Sequence, residues 1–122
     1  MSKRILVIED TEDNRQIIRD LLSSVGYELI EAVDGAQGVA MAQSEHPDLI
    51  LMDIQLPGID GYEATRRIRA IPELAKVPII AVTSYALSGD EAKTREAGCD
   101  GYVAKPFSPR QLLAKVREFL PE

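Results

Sequence analysis

A chain of 122 residues with 45% hydrophobic content is one domain of common size with enough apolar material for a real core. The net charge of −6, with no Lys/Arg run to offset it, argues against direct nucleic-acid binding and points to proteins or cations as partners. No apolar run approaches the roughly 18 residues of a membrane span. Met1-Ser2-Lys3-Arg4 leads straight into a strand-like segment with no signal peptide, and the lone Cys99 forbids an internal disulfide, so a reducing cytoplasm is expected.

In chain order, Ile5-Leu6-Val7-Ile8 reads as a buried strand. Ile17, Ile18, Leu21, Leu22 and Val25 recur at helical spacing, and Gly26 stops that helix. Tyr27 to Glu31 alternates, as a half-exposed edge strand does. Asp34 is placed to cap a helix running to about Gln43, with His46-Pro47 ending it. Leu49 to Met52 is a third strand, and Tyr62, Thr65, Ile68 and Ile71 mark a third helix. Val77 to Val82 holds a fourth strand, with Pro78 at its edge. Ala86 to Ala97 is a polar helix with a weak apolar stripe, expected to be the most mobile of the set. Cys99 suits a small filler near a turn. Gly101 to Ala104 is a short fifth strand. Ser108-Pro109 combines an N-cap serine with proline at the first helical position, and Leu112, Leu113, Val116, Phe119 and Leu120 give the last helix its stripe.

Alternating strands and helices with nearly all-apolar central strands predict a parallel sheet covered on both faces. Five such units predict a doubly wound, flavodoxin-like α/β domain over residues 1–122, with five helices and strand order 2-1-3-4-5. Ligands in such sheets bind beyond the carboxyl ends of the strands. The polar residues there are Glu9-Asp10, Asp53, Thr83-Ser84 and Lys105-Pro106, and their strands are neighbours in the predicted order. Asp53 taken alone suits a cap, a metal ligand or a nucleophile. Taken together, packed carboxylates call for a cation, and oxygen donors without His or Cys indicate a hard one such as Mg2+. Lys105 adds a point charge for an anion and Thr83 a hydroxyl, a set suited to a phosphoryl group on or near Asp53.

The motifs "VIEDTEDN", "LILMDIQLPGIDGYE", "IIAVTSYA" and "GCDGYVAKPF" resemble the receiver domain of response regulators from two-component and phosphorelay signalling, and the resemblance spans essentially the whole chain. It implies that Asp53 is the phosphoacceptor. It implies a divalent ion, Mg2+ or Mn2+, held by Asp10 and Asp53, by Glu9 through water and by the Gln55 backbone carbonyl. It makes Thr83 the switch hydroxyl, Lys105 the phosphoryl-contacting lysine and Tyr102 the aromatic switch position. It gives Pro106 a cis bond, and Pro57 and Gly58 a structural turn after the acceptor. Ser84 stands where alanine is common, and Gln55 lies where the family tunes phosphoryl lifetime.

The expected function follows from that likeness. A histidine kinase or histidine phosphotransfer protein donates a phosphoryl group to Asp53, and the chain signals by phosphorylation-dependent contact with a downstream protein. Only Pro121-Glu122 follow the last helix, so a stand-alone regulator is expected, with a receiver piece of a hybrid kinase or larger regulator as the alternative. No nucleic-acid or membrane contact is expected, and the oligomeric expectation is a monomer or a weak phosphorylation-dependent dimer. A Mg-dependent phosphohydrolase would want a second acid where Gln55 stands. A flavin module would want a glycine-rich loop in place of the acidic "EDTEDN". Asn14, Arg15 and Ile18 are candidate exposed docking positions on the first helix.

Overall fold

The computed structural model describes residues 3–83, 90–105 and 107–120. The chain alternates β1 (Arg4–Ile8), α1 (Glu12–Ser24), β2 (Glu28–Ala32), α2 (Gly35–Glu45), β3 (Leu49–Asp53), α3 (Gly61–Arg69), β4 (Ile79–Thr83), α4 (Asp90–Ala97), β5 (Gly101–Ala104) and α5 (Pro109–Phe119). All strand pairs are parallel, in the order β2-β1-β3-β4-β5. This is the doubly wound arrangement that the alternation predicts.

Side chains alternate across a strand, so each central strand feeds two cores. Leu6, Ile8, Ile50, Met52, Ile79 and Ala81 pack with Ala42, Ala64 and Ile68 from α2 and α3. Ile5, Val7, Leu49, Leu51, Ile80 and Val103 pack on the other face with Ile18, Leu22, Leu112 and Val116 from α1 and α5. Burial on both faces is why β1, β3 and β4 read as unbroken apolar runs. β2 lies at the edge, and its middle residues are only half-buried. Cys99 is buried at the end of α4, as a filler.

Several boundaries differ from the sequence reading. Asp53 and Thr83 are the last residues inside β3 and β4 rather than the first ones after them. β4 begins at Ile79, and the Pro78 carbonyl before it still accepts the Ile50 N–H at 2.9 Å. Ile71 lies outside α3 and opens a short 3-10 turn over Pro72–Leu74, with proline at its start. α2 continues to Glu45, and His46 terminates it in a left-handed conformation at φ 49.

On α1 the inward face is carried by Ile18 and Leu22, while Ile17 is 56% exposed and Val25 is the C-cap residue. The suggested docking positions are corrected accordingly. Ile18 is buried, Arg15 has a side chain only 12% exposed, and Asn14 is half-buried. Adjacent helix residues point about 100° apart, so Ile17 and Ile18 cannot both face the core, and a position one residue from an inward one turns toward the surface. Ser84, residues 86–89 of the expected fourth helix and Pro106, with its expected cis bond, lie outside the described residues.

Candidate functional site

The register of the sheet builds the site. Ile8 pairs with Met52 across β1 and β3, so the next residues, Glu9 and Asp53, emerge side by side. Asp53 pairs with Val82 on β4, and Thr83 pairs with Ala104 on β5, directly before Lys105. The Lys105 N–H donates to the Thr83 carbonyl at 2.6 Å, extending the ladder by one step. Four chain segments therefore meet at one sheet edge because parallel strands all end on the same side.

The side chains converge there. One carboxylate oxygen each from Glu9, Asp10 and Asp53 lie within 4.8 Å of one another. Glu9 and Asp53 are 2% and 4% exposed, whereas Asp10 is exposed. The Lys105 Nζ lies 3.0 Å from Glu9 Oε1 and 3.5 Å from Asp53 Oδ2. Asp53 Oδ1 accepts the Gln55 N–H at 2.9 Å, and Glu9 Oε2 accepts the Thr11 N–H at 3.1 Å. One ammonium against three acids leaves the cluster electron-rich. A shared hydrogen bond with Glu9, burial and the Glu9 charge together push the Asp10 carboxyl above its ordinary range. Such a cluster is relieved by a cation, and its all-oxygen donors suit a hard one.

The loop after β3 is tied back to the acceptor strand. Gly58 adopts φ +75, which an L side chain rarely takes, directly after the exposed Pro57. The Gly61 N–H returns to the Ile54 carbonyl at 3.0 Å, and a Cβ at Gly61 would strike the Asp53 carbonyl oxygen and sit 2.6 Å from Ile54 Cα. Asp60 then caps α3 by accepting the Glu63 N–H at 2.9 Å.

Thr83 is fully buried at the end of β4. Tyr102 is half-buried on β5, lining a groove of about 420 Å³ with Gln111, Lys115 and Glu118 of α5. Glu9, Asp10, Asp53 and Lys105 are thus brought into one cluster. Gln55 enters it through its main-chain N–H, and Thr83 adjoins it by register. One contact had no clear signal in the sequence: Arg15 Nη1 donates to the Glu9 carbonyl at 2.8 Å.

The profile of the response regulator receiver domain matches residues 5–117. The chain belongs to that family. The receiver is 41% identical to the polar-differentiation response regulator DivK of Brucella ovis over 120 residues, covering 98% of both chains. It is 40% identical, at a TM-score of 0.92 and with both chains fully covered, to the receiver domain of a sensor histidine kinase of Pseudomonas aeruginosa, a structure with magnesium coordinated in its active-site cleft. It also superposes on the chemotaxis protein CheY4 of Vibrio cholerae at a TM-score of 0.93 and 27% identity, covering 98% of this chain and 99% of that one. The receiver is accordingly a phosphoacceptor signalling domain of two-component systems. Among the described residues, no helix is long and apolar enough to cross a membrane.

Proposed function

We propose that Asp53 is the residue that takes the phosphoryl group, with Asp10 and Asp53 as direct magnesium ligands, Glu9 acting through water and the Gln55 carbonyl as a further ligand. The observation that carries this reading is the Lys105 ammonium shared between two buried carboxylates, Glu9 and Asp53, beside a third at Asp10. Lysine, carboxylates and strand ends together form a place for a dianionic phosphoryl group and its counter-charge. Mg2+, when bound, neutralises charge on the phosphoryl oxygens and on the carboxylates.

The chain's own residues do the rest. An Asp53 carboxylate oxygen attacks phosphorus, the N–P bond of a donor phosphohistidine breaks, and the imidazole leaves with its electron pair and is protonated. The β3 backbone holds the nucleophile, and the Gln55 N–H fixes the other carboxylate oxygen. Lys105 faces the position that the phosphoryl oxygens take. The product is an aspartyl phosphate, and the receiver is a phosphoacceptor rather than a turnover enzyme.

Thr83 and Tyr102 form the switch in this reading. The Thr83 hydroxyl turns to donate to a phosphoryl oxygen, and Tyr102 follows inward toward the space it leaves, altering the face made with α5. The donor is a histidine kinase or a histidine phosphotransfer protein, and the output is contact with a downstream protein. The likeness to DivK supports a stand-alone regulator. Incubation of wild type and Asp53→Asn with acetyl phosphate and Mg2+, read by intact mass and peptide mapping, tests the acceptor. One added phosphoryl group at residue 53 in wild type and none in the variant is expected. Equal labelling of the variant at another residue overturns the assignment.

A further inference from the structure

We infer that Arg15 is a positioning residue of the cation site, holding the peptide that joins Glu9 to Asp10. The inference rests on the reading of Glu9, Asp10 and Asp53 as the magnesium site. Arg15 lies in the first turns of α1, and its guanidinium turns back under the β1–α1 loop. Nη1 donates to the Glu9 carbonyl at 2.8 Å, Nη2 lies 2.8 Å from Glu12, and Nε lies 3.3 Å from Glu31 on β2. Arg19 grips the same Glu31 carboxylate at 2.7 Å, so Glu31 is itself held. Two acids orient the fork, and the fork orients a carbonyl.

That carbonyl belongs to a planar peptide whose other end carries Asp10. Glu9 is also fixed at its N–H by the Ala32 carbonyl, and at its carboxylate by Lys105 and the Thr11 N–H. Asp10 is exposed and pressed against the Glu9 carboxylate. The direction in which it leaves the backbone is set by the peptide that Arg15 anchors. A lysine carries the same charge but lacks the planar fork that reaches three acceptors at once.

Coulomb's law and the positioning role give opposite signs. Deleting a cation bonded to the backbone of one of the site's acids, Glu9, should tighten binding of a divalent ion. Freeing the Glu9–Asp10 peptide should weaken it. Wild type, Arg15→Gln and Arg15→Lys are titrated with Mg2+ by calorimetry and with Mn2+ by electron paramagnetic resonance, and acetyl phosphate labelling is followed as a function of Mg2+. The expected result is a dissociation constant raised about 10-fold or more in Arg15→Gln, a smaller rise in Arg15→Lys, and near-normal labelling at saturating Mg2+. Since Arg15→Lys keeps the charge, weakened binding there reports geometry, and this variant carries the test alone if Arg15→Gln does not fold by circular dichroism. Unchanged or tighter binding in the variants, with wild type binding normally, overturns this inference alone. A wild type that binds no Mg2+ removes the site reading and this inference with it.

Discussion

Single residues show the tension most plainly at Asp10. Its carboxyl is pushed upward chiefly by a hydrogen bond shared with Glu9, so the fold holds that proton to higher pH than the unfolded chain does. Stability of the metal-free protein therefore falls as pH rises through that window. Asp10→Asn should raise metal-free stability at neutral pH by roughly 0.2–1 kcal/mol, the range left for an exposed charge after solvent screening. Urea unfolding with and without Mg2+ checks this, and stabilisation by Mg2+ should shrink in the variant. Gly61 gives a second case. An added Cβ meets the Asp53 backbone itself rather than a side chain that can swing aside. Gly61→Ala should cost about 1–3 kcal/mol and slow phosphoryl acceptance, measured by chemical unfolding and by acetyl phosphate labelling. The acids, Thr83 and Lys105 were legible from the sequence because each ends an apolar run. The Arg15 contact was not, since it depends on a helix folding back over the loop before it.

Helices and strands were legible where a local chemical signal set their limits. Ser108 accepts the Gln111 N–H at 3.1 Å, and Gln111 returns a bond to the Ser108 N–H at 2.8 Å, completing a capping box before the proline at the start of α5. Ser108→Ala should lower stability by about 1 kcal/mol, read by thermal melting, while Mg2+ affinity stays unchanged because the cap lies outside the acidic cluster. Asp34 caps α2 in the same way, accepting the Gln37 N–H at 2.7 Å. The α1 stripe was legible at Ile18 and Leu22 but not at its edges: Ile17 and Ile18 are both apolar, and only packing against the sheet turns Ile18 inward and leaves Ile17 outside. The 3-10 turn at Pro72–Leu74 carried a proline signal but is too short to show a period.

For the molecule as a whole, strand order followed from the alternation of elements, and the position of the site followed from strand order. Two responses belong at this scale. A ligand bound only by the folded state stabilises it by mass action, so Mg2+ at 100 times its dissociation constant should add about 2.7 kcal/mol, visible as a concentration-dependent melting temperature. Acid should act through Glu31, whose carboxyl is held below its ordinary range first by the hydrogen bond from Arg19. Its contribution is complete above the unfolded carboxylate's pKa and is lost as pH falls through the lower folded value. Glu31→Gln should destabilise the neutral protein and flatten the acid limb of a stability profile measured by urea titration at a series of pH values.

The ammonium between Glu9 and Asp53 has a consequence for the resting protein. Two nearly waterless acids side by side would push the sheet rim apart whenever metal is scarce, yet a built-in counter-ion 3.0 Å from one and 3.5 Å from the other keeps them together. An idle receiver can thus wait, intact and already aligned, through lean periods between signals.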